Sequence, residues 1–132
     1  MKPKILIVED DVPIKEMYEL KLKAYGLEVA TADDGVKGLE LAKKFKPDLI
    51  LLDLLLPEMS GDKMLAKVRA EDWGKNILVI VLTNVSQDEA PMSLRLLRVE
   101  RYIVKAHYTP KQVLEVVVET LTRYKKLPAV KH

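Results

Sequence analysis

The sequence contains no cysteine and only two histidines, His107 and His132. Disulfides and thiolate metal centres are thereby excluded, a histidine-based metal site lacks ligands, and a reducing compartment is compatible. Long apolar runs are also missing. The opening Met1-Lys2-Pro3-Lys4 leads into an apolar stretch that Glu9 interrupts, too short for a signal peptide or a membrane span. There is no block of like charge either. The 22 Lys and Arg are interspersed with 20 Asp and Glu, for a net charge of +2, unlike a basic nucleic-acid tail. The expectation is a cytoplasmic protein with no membrane contact and no direct nucleic-acid binding. The 132 residues, 48% apolar and 32% charged, fit one globular domain with a proper core.

Short runs of Ile, Val and Leu punctuate the chain: Ile5–Val8, Leu49–Leu52, Ile77–Leu82 and Tyr102–Val104. They barely alternate, as expected of parallel strands buried on both faces. Glu28–Ala32 reads as a weaker strand. Between the runs lie segments of helical period. Ile14, Met17, Leu20 and Ala24 form the expected inner stripe of the first helix, with Pro13 in its first turn and Gly26 as its stop. The second helix spans Asp34 to Phe45, with Val36, Leu39 and Ala42 inward, and the third runs from Asp62 to Ala70. A fourth is expected from about Pro91 to Val99, because Pro91 forbids an earlier start. Its shortness makes it the candidate mobile element. Thr109-Pro110-Lys111-Gln112 opens the last helix with a capping box. Val113, Val116, Val117, Thr120, Leu121 and Tyr124 form its stripe, and Leu114 and Val118 lie off it. The pattern is βα repeated five times, a doubly wound α/β sheet with helices on both faces.

In such sheets ligands bind beyond the carboxyl ends of the strands. There the sequence places Glu9, Asp10, Asp53, Thr83 and Lys105. Taken singly, each has a bland reading: Asp10 or Asp11 as a helix cap, Thr83 as a strand former, Lys105 as a solvated lysine, Tyr102 as core. Taken together, four strand ends would have to acquire complementary groups by accident. Three carboxylates supply hard oxygen ligands of the kind Mg²⁺ takes. An Asp on a central strand can act as a covalent nucleophile toward a phosphoryl group, and a hydroxyl and an ammonium can offset charge on the phosphoryl oxygens.

Glu9-Asp10-Asp11 after the first strand, Asp53-Leu54-Leu55-Leu56-Pro57 with Gly61, Thr83 at a strand end and Tyr102-Ile103-Val104-Lys105 resemble the receiver domains of two-component response regulators, over about residues 3–125. The resemblance implies a flavodoxin-like five-stranded parallel sheet of order 2-1-3-4-5 flanked by five helices. It implies a receiver domain over 1–125, followed by a basic tail, 126–132. Asp53 would be the phosphoacceptor; Glu9, Asp10, Asp53 and the backbone carbonyl of Leu55 would hold Mg²⁺; Thr83 and Lys105 would engage the phosphoryl group. Tyr102, with Thr83, would be the switch. The donor would be a sensor histidine kinase or phosphotransfer protein. The output surface would be the fourth helix, fifth strand and fifth helix, read by a protein partner or a missing output domain. Three features depart from the family: Ala106 replaces the usual cis-proline after Lys105, Asn84 follows Thr83 where a small residue is common, and Arg98-Val99 replaces Gly-Ala.

The leading reading is thus a phosphorylation-activated signalling switch that catalyses only its own phosphorylation and dephosphorylation. A small aspartyl-phosphate phosphatase or phosphotransferase is the enzyme alternative, but Leu54-Leu55 stand where a second Asp is typical, and no insert is long enough for a cap domain. A phosphorylation-independent interaction module keeps the fold without the chemistry. Arg95, Arg98 and Arg101 can pair with Glu115 and Glu119 within the chain or across a homodimer.

Overall fold

A computed structural model describes residues 2–127. Five strands, β1 (Lys4–Val8), β2 (Glu28–Ala32), β3 (Leu49–Leu52), β4 (Leu78–Thr83) and β5 (Arg101–Val104), form one parallel sheet in the order β2-β1-β3-β4-β5. Strand order reverses between β1 and β3, the usual place for a ligand crevice. Alternation divides the core in two. Ile5, Ile7, Leu49, Leu51, Ile80 and Leu82 pack under helices α1 (Val12–Ala24) and α4 (Pro110–Arg123); Leu6, Val8, Ile50, Leu52, Val79 and Val81 pack under α2 (Gly35–Phe45) and α3 (Gly61–Ala70). All four β3 side chains are buried, each contributing about 1.5–3 kcal/mol of transfer free energy. That rigid floor fixes the strand ends.

The helix starts follow local chemistry. The Asp11 carboxylate accepts from the Ile14 amide at 3.1 Å, and Asp34 accepts from Lys37 at 2.7 Å. At α4 the Thr109 hydroxyl accepts from the Gln112 amide at 3.2 Å, while the Gln112 side chain accepts from the Thr109 amide at 2.9 Å. Both halves of the predicted capping box are present. Gly26 takes φ +101° just after α1, a conformation a side chain resists.

Three expected faces need correction. On α1 the buried pair is Tyr18 and Leu22, while Leu20 is 74% exposed and Met17 is also exposed. The stripe steps by four from Ile14, not by three. On α2 Val36 faces out and Gly38 faces in; a Cβ at Gly38 would meet Met64 Sδ at 2.9 Å. On α4 Tyr124 leaves the core and donates its hydroxyl to Glu100 at 2.6 Å. Of the expected tail, residues 128–132 lie outside the described residues.

The fourth expected helix is absent among the described residues, which hold four α-helices. Between β4 and β5 stand two 3-10 turns, Gln87–Glu89 and Met92–Leu96, separated by extended Ala90 and Pro91. Pro91 supplies no amide and pushes Ala90 out of helical angles, so neither turn extends into the other. Arg98 then takes φ 54°, a left-handed conformation that a glycine would adopt freely, at a cost of roughly 1–2 kcal/mol. The Arg69 guanidinium pins this segment. It donates to Leu97 O, Gly74 O and Ile77 O at 2.8 Å and to Arg98 O at 2.9 Å. One planar fork thus ties α3 to both chain entries into β4 and β5. Arg69→Ala should lower unfolding stability by about 2–4 kcal/mol, through lost charge-assisted bonds and stranded carbonyls. A urea midpoint unchanged from wild type would mean that water replaces the fork at no cost.

Candidate functional site

Parallel register sets the site. Val8 lies opposite Leu52, and Leu52 opposite Val81. Glu9 and Asp53 therefore leave the sheet at the same level, held by the Glu9 amide on Ala32 O at 3.0 Å and the Asp53 amide on Val8 O at 3.1 Å. Lys105 follows β5 and reaches back across the sheet end. Its ammonium donates to Asp53 Oδ2 at 2.8 Å and to Glu9 Oε1. Glu9 and Asp53 are buried, and the Lys105 side chain is only 11% exposed. Asp10 stays exposed at the rim, and Asp11 rather than Asp10 caps α1. Carboxylate oxygens of Glu9, Asp10 and Asp53 lie within 4.8 Å of one another. This acidic cluster has the hard donor set and spacing a small divalent cation takes.

Each acid has a second anchor. Asp53 Oδ1 accepts from the Leu55 amide at 3.1 Å, and Glu9 Oε2 from the Asp11 amide at 3.2 Å. Gly61 permits the close turn beneath. A Cβ there would lie 2.1 Å from Asp53 O, so only glycine lets the α3 start pass under the strand end. The sequence marked Gly61 as turn chemistry; its contact with the Asp53 backbone is visible only in three dimensions.

Thr83 is fully buried, and its Oγ1 accepts from the Val85 amide at 3.4 Å. Tyr102, half-buried on β5, donates its hydroxyl to Val85 O at 2.6 Å. Val85 therefore bridges Thr83 and Tyr102. Asn84 is exposed to solvent. The Lys105–Ala106 peptide is trans, since no described bond is cis, and Lys105–His107 forms a 3-10 turn. Sequence reasoning missed Tyr18, buried on α1, whose hydroxyl is pushed above its usual pKa by burial. Its signal was the four-residue step from Ile14.

Burial raises the Glu9 pKa above 4.5, outweighing the Lys105 hydrogen bond that lowers it. Burial would lower that of Lys105, but hydrogen bonds and charge from Asp53 and Glu9 carry it above 10.5. For Glu9 the sign is unfavourable at neutral pH. Between pH 4.5 and the raised pKa the folded state holds a proton that the unfolded state releases, so stability from this group is greatest below pH 4.5 and falls as pH rises through the folded pKa. Metal-free wild type should therefore lose urea stability relative to Glu9→Gln as pH rises from 4.5 toward neutrality. A wild type that gains on the variant over that window would reverse the assignment.

The response regulator receiver domain model matches residues 5–118. The DNA-binding response regulator MtrA of Mycobacterium tuberculosis is 32% identical over 130 residues, covering 98% of this chain and 55% of that protein. The chain thus spans about half the length of MtrA, and 35% of the curated relative RpaA from Synechocystis. A CheY-like receiver domain from Methanospirillum hungatei superposes with TM-score 0.85 at 29% identity, over 96% of this chain and 98% of that one. The phosphorylated cyanobacterial phytochrome response regulator RcpA gives TM-score 0.77 at 27% identity, over 98% and 100%. With its sheet order, acidic crevice and these relatives, the chain belongs to the response regulator receiver domain family.

Proposed function

We propose that this chain is a phosphorylation-controlled switch in which Asp53 accepts a phosphoryl group from a phosphohistidine on a sensor kinase or phosphotransfer protein. The observation that carries the reading is the Lys105 ammonium, delivered from β5 to both Asp53 and Glu9 across the sheet end. A carboxylate oxygen of Asp53 attacks phosphorus. The P–O bond forms as the P–N bond breaks, and the electron pair stays on the leaving imidazole nitrogen. Asp53 is fit for this because its Oδ1 is oriented by the Leu55 amide and its Oδ2 faces Lys105. Lys105 and the Thr83 hydroxyl engage the transferred oxygens.

Glu9, Asp10 and Asp53, with the Leu55 carbonyl, would hold Mg²⁺. When bound, it supplies positive charge to the phosphoryl oxygens. The structure of the RcpA relative is that of the phosphorylated protein, which supports the same chemistry here.

The switch runs through Val85. Drawing Thr83 toward a phosphorylated Asp53 pulls on the Val85 amide, and Val85 O holds the Tyr102 hydroxyl. Loosening that bond frees Tyr102 to turn inward and reshapes the face around β5. Phosphorylation so shifts a two-state equilibrium that a partner reads. The chain works in the cytoplasm, as a receiver domain over 1–125 that signals to a protein partner or to an output domain elsewhere in a longer regulator. No described helix is long and apolar enough to cross a membrane. The test is incubation with acetyl phosphate and Mg²⁺, followed by intact-mass and peptide analysis. Expected is one added phosphoryl group on the peptide carrying Asp53; its absence, or its placement on another residue, overturns the reading.

A further inference from the structure

The end of the sheet away from Asp53 carries a second polar site. Ile77 and Leu78 lead into β4, and Glu100 precedes β5. Beside these amino ends lies an open cavity of about 460 Å³, within the size range of small-molecule clefts. Arg69, Lys75, Arg98 and Lys126 line it, and among the described residues Glu100 is the one carboxylate in the lining. The two lysines have acids outside the cavity, Lys75 with Asp72 at 3.0 Å and Lys126 with Asp48 at 3.7 Å. The two arginines have no carboxylate within salt-bridge reach among the described residues.

Carbonyls hold the arginines instead. Arg69 donates from Nε to Leu97 O, from Nη1 to Gly74 O and Ile77 O, and from Nη2 to Arg98 O, which leaves an Nη2 hydrogen over. Arg98 donates from Nη2 to Lys75 O. Such contacts orient a guanidinium and leave its charge whole. Burial and the nearby Arg98 charge both push the Arg69 pKa below its usual value, as a second cation in one space should. The carboxyl end of α3 favours a cation, which accounts for Arg69 in its last turn. It does not account for Arg98, which lies on no helix and holds φ 54°, where glycine would be unstrained. An arginine there lowers stability and delivers a guanidinium to the cavity.

Glu100 and Tyr124 complete the site. Glu100 Oε2 accepts from the Tyr124 hydroxyl at 2.6 Å, and its Oε1 has no protein donor among the described residues. Tyr124 lines the same cavity and is 44% exposed. With its hydroxyl engaged, its ring is the part left to a ligand. We propose that this cavity binds a free nucleoside monophosphate, with the phosphate on Arg69 and Arg98, a sugar hydroxyl on Glu100 and the base against the Tyr124 ring. Guanidinium forks match phosphate oxygens, and a base stacks on an aromatic face. A bare inorganic anion would meet the repulsion of Glu100 and leave Tyr124 without a role. The site lies at the opposite end of the sheet from the acidic cluster, so the inference stands apart from the Asp53 reading.

The test is calorimetric titration of the metal-free full chain in EDTA with AMP, GMP, ribose 5-phosphate, inorganic phosphate and adenosine. AMP or GMP should saturate one site and bind at least about tenfold more tightly than inorganic phosphate or adenosine. The amide-shift footprint should fall on residues 69–78, 97–100 and 124–126 and leave Glu9, Asp53 and Lys105 unmoved. Arg98→Gly should weaken the nucleotide by about tenfold or more, the worth of a charge-assisted bond. Glycine is unstrained at that backbone, so the thermal melt should hold, and lost binding is then not lost fold. Tyr124→Leu, at an exposed position, should weaken the nucleotides and leave ribose 5-phosphate unchanged. The proposal is overturned if no nucleotide saturates at millimolar concentration, if inorganic phosphate binds as tightly as the nucleotides, if the footprint falls on Glu9 and Asp53, or if Arg98→Gly binds like wild type.

Discussion

Asp53→Asn should abolish labelling by acetyl phosphate, leaving at most background incorporation. The substitution keeps the shape of the side chain. Its amide can still accept from the Leu55 amide, which now holds Asp53 Oδ1 at 3.1 Å, so the loop should keep its path. What disappears is the anionic oxygen to which the proposal gives the attack on phosphorus, and an amide is far too weak a nucleophile to replace it. Glu9 and Asp10 remain, and both are carboxylates. The experiment therefore also asks whether acidity alone suffices. If Asn at 53 labels as fast as wild type, one of the neighbours is the acceptor and the assignment of roles fails. Thermal stability should change in the opposite direction to activity, or not at all. Removing one of two buried carboxylates relieves their mutual repulsion, while Lys105 keeps Glu9 as a partner. A variant that is inactive yet at least as stable as wild type would exclude misfolding as the cause.

Much of this arrangement was legible in the sequence because sheets of this type make it so. Strands buried on both faces announce themselves as unbroken Ile/Leu/Val runs, and the first polar residue after each run lands at the crevice. Glu9, Asp53 and Lys105 needed nothing more. The helix faces were harder. Ile14, Met17 and Leu20 satisfy a helical period as well as Ile14, Tyr18 and Leu22 do; tertiary packing, not periodicity, chose Tyr18. Gly38 was invisible because an inward glycine carries no hydrophobic signal, only the lack of space that Met64 and Val8 leave it. The region after β4 failed in a different way. Pro91 pointed to a helix from about residue 91 to 99, but a short helix with only a few turn-forming bonds has little reserve; only a 3-10 turn forms there, and the Arg69 fork holds the segment in another shape. That fork spans 28 residues of sequence between Arg69 and Leu97, and no local pattern reports such a contact. Arg98 in a left-handed conformation likewise breaks a local rule that the surrounding carbonyl contacts enforce.

Lys105→Met should expose how much the crevice depends on the Lys105 ammonium. In the metal-free protein the ammonium donates to both Glu9 and Asp53. Met is close in length and fills the same path, so packing is largely preserved. The two buried carboxylates then face each other with no counter-charge. Breaking a buried pair from one side commonly costs about 3–5 kcal/mol, and protonation of Glu9, whose pKa burial already raises, returns part of it. The loss should therefore be largest at neutral pH in EDTA and shrink on acidification. Mg²⁺ should then stabilise the variant more than the wild type. The three acids whose oxygens lie within 4.8 Å of one another would regain a cation that wild type partly replaces with its lysine. Urea midpoints of both proteins, with EDTA and with saturating Mg²⁺, give the answer in one set of curves. Equal metal responses in the two proteins would mean that Lys105 and the cation do not share the same carboxylates, and the picture of one crevice in which ammonium and metal offset a common charge would fail.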